Sequence, residues 1–259
     1  MIDHRLLQRT LFRAQMDPAF AAEVRASTDP RLALLRAASS AGITADPRGT
    51  RRLQVLGNAT LEYRLCLASC DDPRGRLEAF ASSPEFHAAI EQDQPLPHAA
   101  GSYLQRVLAE QPWPAALAKL EAQLARLRRA PDGPQPPAGC WQRSHRACVV
   151  RLPAGTLAYA AAIQQALHAG QPCPAAPAPP SGETEALLLH APPSTHRWKL
   201  ADAIPEEVNE AVAALFERAG EALDEAALEA FAAAYGARAE DLLPLMHDYA
   251  RDGALVLGT

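Results

Sequence analysis

Apolar positions recur at spacings of three and four through the first half of the chain, beginning with Leu6, Leu7 and Leu11. A stripe of this period buries one side of an α-helix and leaves the other to water. Asp3 is placed to cap the first helix, which the pattern carries to Gln15. Asp17-Pro18 and Asp29-Pro30 each predict another start, because a proline near N1 sacrifices an N–H that has no intrahelical partner anyway. After Pro47 and Gly49, residues Arg51 to Cys70 keep a broad stripe of Leu53, Leu56, Leu61, Leu65 and Leu67, and Asp71-Asp72-Pro73 then breaks the chain. Ser83-Pro84 opens a helix with Phe86, Ala89 and Ile90 on one side. Tyr103, Leu104, Val107 and Leu108 form the next apolar face, and Pro114 starts a last helix carrying Leu117, Leu120, Leu124 and Leu127. Residues 1–130 are expected to be a helical bundle.

The pattern changes at Pro131 to Gly139, "PDGPQPPAG", whose four prolines and two glycines predict a linker over 131–139. Ala147 to Leu152 has β character and Leu157 to His168 helical character, and Gln171 to Gly182 forms a second proline-rich stretch. Ala186 to Leu189 and Trp198 to Leu200 flank Pro192-Pro193-Ser194-Thr195, which reads as a hairpin. Three helices are expected beyond it, over Pro205 to Arg218, Asp224 to Tyr235 and Ala239 to Arg251, followed by a short strand at Ala254 to Leu257. Strand, strand, three helices, strand is the order of a winged-helix-like module, assigned to residues 140–259. The expected fold class is therefore mostly α with an α+β C-terminal part.

Composition agrees with this reading. Of the 259 residues 48% are apolar but only 5% are Phe, Trp or Tyr, a mix that favours closely packed helices over a β-sandwich. No stretch approaches the roughly 18 uninterrupted apolar residues of a membrane helix, and the N-terminus lacks an apolar signal core. Five cysteines (Cys66, Cys70, Cys140, Cys148, Cys173) are an odd set and read as thiols, so the expected compartment is the cytoplasm.

Charge divides the chain. Residues 1–150 carry 19 Lys and Arg against 15 Asp and Glu, whereas residues 151–259 carry 6 against 15. An acidic C-terminal half repels phosphates, and over Ala237 to Gly253 the two cations Arg238 and Arg251 are outnumbered by Glu240, Asp241, Asp248 and Asp252. A winged-helix DNA-binding regulator is the alternative reading that this sign disfavours, and neither nucleic acid nor membrane is an expected partner.

Candidate chemistry is sparse. Cys66 and Cys70 share a helical face and would serve a metal only with two further ligands; Cys140, His145 and Cys148 match no zinc spacing. His190 and His196 bracket the expected hairpin turn without a carboxylate to orient them, and His247 and Asp248, being adjacent, cannot share a helical face. No nucleophile elbow, P-loop, dinucleotide fingerprint or HExxH motif is present. No residue is assigned a catalytic or metal-binding role. What the pattern does offer is a sheet edge beside an apolar helix stripe of Leu242, Leu245, Met246 and Tyr249, the arrangement by which some modules add a foreign strand.

The run "RLQVLGN" (Arg52 to Asn58) with the stripe after it, Tyr103 to Leu108, and "PAALAKLEAQLA" (Pro114 to Ala125) resemble the N-terminal helical domain of partner proteins of multinuclear non-haem iron-dependent oxidative enzymes. "VVRLPAGTLAYAAAIQQAL", the hairpin, and "LLPLMHDYARDGALVL" resemble their C-terminal part, which is similar to the recognition elements of ribosomally made, post-translationally modified peptide pathways. The resemblance implies a non-catalytic subunit, in heterodimer with a TIM-barrel iron oxidase as in the thiaglutamate and methanobactin pathways. That subunit presents a precursor peptide for cysteine modification. It implies no cofactor in this chain, with the iron in the partner. The precursor is expected to lie along the ribbon at Leu187, Leu189, Trp198 and Leu200, read by Leu245 and Tyr249 of the facing helix.

Overall fold

The computed structural model describes residues 4–40, 56–57, 59, 61–178, 182–191 and 204–259. These residues are mostly helical, with a small antiparallel sheet portion. They fall into two compact units, Met1–Ala118 and Lys119–Thr259.

In the first unit every described element is a helix: α1 (His4–Met16), α2 (Pro18–Ala26), a 3-10 turn at Pro30–Leu32, α3 (Ala33–Ser40), α4 (Arg64–Ala68), α5 (Pro73–Phe80), α6 (Pro84–Glu91), α7 (Leu96–Val107) and the start of α8 (Pro112–Leu127). Proline after a capping side chain sets three of the starts. Asp17 accepts from the N–H groups of Ala19 and Phe20, Asp72 from Gly75, and Ser83 from Phe86. The expected break at Asp71-Asp72-Pro73 is thus the start of α5, and α8 begins at Pro112 rather than Pro114 because a helix's first turn tolerates both prolines. Within the long helix expected from Arg51 to Cys70, the described residues show an interruption at Tyr63 before α4. The Tyr63 hydroxyl is buried and donates to the Pro97 carbonyl at 2.6 Å. An aromatic cluster holds this unit's core: Phe80 meets Phe86 edge-on at 5.4 Å and Tyr103 at 5.5 Å.

In the second unit a two-stranded ribbon pairs β1 (Trp141–Arg143) with β5 (Leu255–Leu257), and a three-stranded antiparallel sheet has the order β2 (Ala147–Pro153), β3 (Thr184–His190), β4 (Ile204–Val208). Helix α9 (Thr156–His168) joins β2 towards β3, with Glu185 accepting from the N–H groups of Gly155 and Leu157 at its start. Helices α10 (Glu210–Arg218), α11 (Glu225–Ala234) and α12 (Ala239–Arg251) follow β4.

One expected element changes identity. Residues 205–208 continue a strand instead of opening a helix, since the residue before Pro205 is pushed to extended backbone and Asn209 supplies the cap, accepting from the Val212 N–H at 2.9 Å. The expected hairpin turn at Pro192 to Thr195 and its second arm, Trp198 to Leu200, lie outside the described residues, as does Asp3. The strand that pairs with β3 on that side is β4.

The stretch expected as a linker, 131–139, belongs to the second unit. Its Pro136 is buried, and the Gly139 N–H donates to the Gly258 carbonyl while the Gly258 N–H donates to that of Cys140. The core of this unit gathers Trp141, Leu188, Leu215, Phe216, Leu223, Leu228, Met246, Tyr249 and Leu255 from the strands and all three closing helices. At the β2 margin, Lys119 of α8 donates its ammonium to the Arg151 carbonyl at 3.0 Å, while the Arg151 guanidinium pairs with Glu210 at 2.6 Å and with Glu217.

Candidate functional site

Which backbone groups the sheet leaves unpaired follows from its register. The Ala191 N–H donates to the Arg146 carbonyl and the Ala154 N–H to that of Glu183, just beyond the two ends of the β2–β3 ladder. Hydrogen-bonded pairs alternate in an antiparallel ladder, so Leu187 and Leu189 exchange their bonds with β2, and Ala186, Leu188 and His190 exchange theirs with β4. On β4 the groups of Ile204, Glu206 and Val208 consequently turn inward, and those of Pro205 and Glu207 turn outward. The outward face of β4 presents the Pro205 carbonyl and the N–H and carbonyl of Glu207. The strand closes the sheet order, so this row is a pairing margin among the described residues.

Side chains alternate in the same way. Leu188 packs in the core beside Tyr249, Val208 packs against that cluster, and Glu206 points to the same side, where it accepts from the Tyr249 hydroxyl at 3.3 Å. The Tyr249 ring meets Phe216 edge-on at 4.9 Å. Burial, then the neighbouring Glu206 carboxylate, pushes the Tyr249 phenol up to about 12. Glu207 stands on the opposite face and is exposed.

The residues expected at the site are placed as follows. Leu187 and Leu189 are fully buried in the central strand, on the face away from Leu188, and both margins of that strand are filled by the chain's own β2 and β4. Tyr249 is buried and Leu245 half-buried, both against the core, so most of the α12 stripe seals the unit. Trp198 and Leu200 lie outside the described residues. The structure therefore brings Tyr249 to β4, and the margin left unpaired among the described residues is that of Pro205 and Glu207, which sequence reasoning had assigned to a helix. Asn209 was the signal that could have found it, since a capping residue there ends the strand and starts α10 one turn later than expected.

Other candidates resolve into structure. The Cys70 thiol donates to the Cys66 carbonyl at 3.2 Å, and a hydrogen bond with the Cys66 side chain, opposed by burial, lowers its pKa. Cys148 is held up by burial on β2. His190 is buried on β3; His196 lies outside the described residues. His247 packs its ring on Trp141 at 5.0 Å. Among the described residues no group of three His, Cys, Asp or Glu side chains could hold a metal. A cavity of about 380 Å³ lies between Pro131 to Gln135 and the β1–β5 ribbon, but Arg143 already donates to the Phe216 carbonyl and Arg146 pairs with Asp132 at 3.1 Å.

A scan of protein-family models finds none that matches this chain. A search of curated proteins finds no match either.

Proposed function

We propose that this chain is a non-catalytic partner subunit that binds a TIM-barrel multinuclear iron oxidase and presents a precursor peptide to it for cysteine modification in ribosomal peptide natural product biosynthesis. The second unit is the peptide-recognition module, winged-helix-like in its succession of strands, three helices and a closing strand. The iron and the oxidation belong to the partner. The guest peptide adds to β4 by exchanging backbone hydrogen bonds with Glu207 and donating one to the Pro205 carbonyl, next to α12 at Tyr249.

The observation that supports this reading is the outward-facing row of Pro205 and Glu207 on a strand that ends the sheet. Strand addition draws affinity from main-chain bonds of this kind. The chain purified from its native host is expected to bring down an iron enzyme and a small peptide, and that enzyme is expected to modify the peptide only when this subunit is added. Equal turnover by the enzyme alone, or turnover by this chain alone, would end the proposal. Replacing Glu207 by Pro tests the docking mode, because it deletes an N–H that β3 does not use; with the fold intact, affinity for an uncharged extended peptide is expected to fall about tenfold, about what one neutral hydrogen bond supplies.

A further inference from the structure

The margin on β4 is short: one N–H and two carbonyls cannot by themselves distinguish one extended peptide from another, since every sequence carries the same backbone. Discrimination has to come from the side chains flanking the row, and these are Glu206 on the α12 face and Glu207 on the other.

No described cation answers either of them. Between Ile204 and Thr259 there are twelve Asp and Glu against three arginines. Each of the three is engaged on its own turn: Arg218 with Glu221 at 3.3 Å, Arg251 with Asp248 at 3.1 Å, and Arg238 with Asp241 at 3.7 Å and Glu240 at 3.9 Å. Arg151, the cation of β2, is taken by Glu210 and Glu217 of α10. Arg197 and Lys199 lie outside the described residues. At the end of α12, Asp252 adds its negative charge to that of Glu206 on the Tyr249 phenol.

Resting on the peptide-docking reading above, we infer that the guest selected by this margin is cationic: an extended segment with adjacent Lys or Arg residues, one facing Glu207 and the next facing Glu206 and α12. Neighbouring residues of a strand point to opposite faces, so a guest lying on β4 needs two consecutive positive side chains to meet two consecutive negative ones. An opposite-charge pair across two strands is worth about two- to fivefold in binding, and the two together about tenfold. An acidic guest meets like charge on both faces and is rejected.

The test uses the full chain and three labelled synthetic peptides, identical in their Val and Thr flanks and carrying Lys-Lys, Gln-Gln or Glu-Glu at the centre, with binding read by fluorescence anisotropy. The Lys-Lys peptide is expected to bind about tenfold tighter than Gln-Gln, and the Glu-Glu peptide more weakly still. The preference should collapse in the double variant Glu206→Gln, Glu207→Gln, whose shape and backbone are unchanged, and should shrink as salt is raised. Equal affinity for Lys-Lys and Gln-Gln, or a preference that survives the double variant, overturns the charge inference while leaving strand addition standing. If none of the three peptides protects the Glu207 amide from hydrogen exchange, strand addition itself falls, and the charge inference with it.

Discussion

The hydroxyl of Tyr249 donates to the carboxylate of Glu206 at 3.3 Å, joining the closing helix α12 to the last strand of the sheet. The contact is the chemical link between the core of the second unit and its open margin. It also has a titration signature. With its phenol pushed up to about 12 from 10.0, Tyr249 loses its proton later in the folded state than in the unfolded one. The stabilisation is whole below about pH 10 and drains away as pH rises towards 12, because over that window the unfolded chain releases the proton first. An ultraviolet difference titration should show late tyrosine ionisation, to which Tyr103 also contributes because burial pushes its phenol up, and the latest phase should lose one ring in Tyr249→Phe. An unchanged latest phase in that variant would assign the high value to another ring.

The parity of the sheet makes neighbouring positions on β4 behave oppositely. Glu206→Pro removes an N–H bonded to Leu188 and leaves a buried carbonyl without its donor, which costs about 1–3 kcal/mol. Glu207→Pro removes an outward N–H and should cost less than about 1 kcal/mol, as Pro205 already shows that this row accepts proline. Urea denaturation of the two variants checks the register directly. Equal losses would mean that the ladder is shifted by one residue.

In the first unit, His87 donates from Nε2 to Asp17 at 3.1 Å, while its Nδ1 is buried with no hydrogen-bond partner among the described residues. Protonation would put an N–H where there is no acceptor. Burial, joined by the positive charge of Arg13 and opposed by Asp17, lowers the His87 pKa below 6.5. The unfolded chain then binds a proton that the folded one resists, so stability is present above pH 6.5 and falls as pH drops through the lowered value. Thermal unfolding between about pH 5 and 7 should show this slope, and His87→Gln should flatten it. Asp17→Ala should remove about 1 kcal/mol through loss of the α2 cap.

Gly258 packs so closely on the turn at Pro136 and Pro137 that a Cβ would collide with the Pro137 carbonyl oxygen. Gly258→Ala is expected to destabilise the second unit by about 1–3 kcal/mol, since backbone on backbone has no side-chain end to move aside. Calorimetry reads this directly; a neutral substitution would show that the two segments part readily.

The elements legible in the sequence are those whose cause is local. Asp17-Pro18 and Ser83-Pro84 announce helix starts because a cap and a fixed φ act within one turn, Asp72-Pro73, read only as a break, starts α5 by the same cause, and Ala186 to Leu189 announces β3 because a strand buried on both faces is apolar throughout. What was not legible depends on partners far along the chain. β4 reads Ile-Pro-Glu-Glu-Val, with no apolar alternation, because an edge strand is partly solvated and its carboxylates discourage unwanted pairing. β1 is three residues long, too short to show a period, and exists through pairing across more than a hundred residues with β5, the short strand expected at Ala254 to Leu257. The candidate site shared this limit: Tyr249 was found from its helix stripe, but the strand it meets was taken for helix.

Lys119 caps the Arg151 carbonyl on the far side of the sheet, and two glutamates line the near side. At the β2 margin the Arg151 carbonyl is thereby taken, while at the β4 margin the outward groups of Pro205 and Glu207 have no partner among the described residues. A second molecule approaching margin to margin would set carboxylate against carboxylate, and like charges facing each other across two strands oppose such self-pairing.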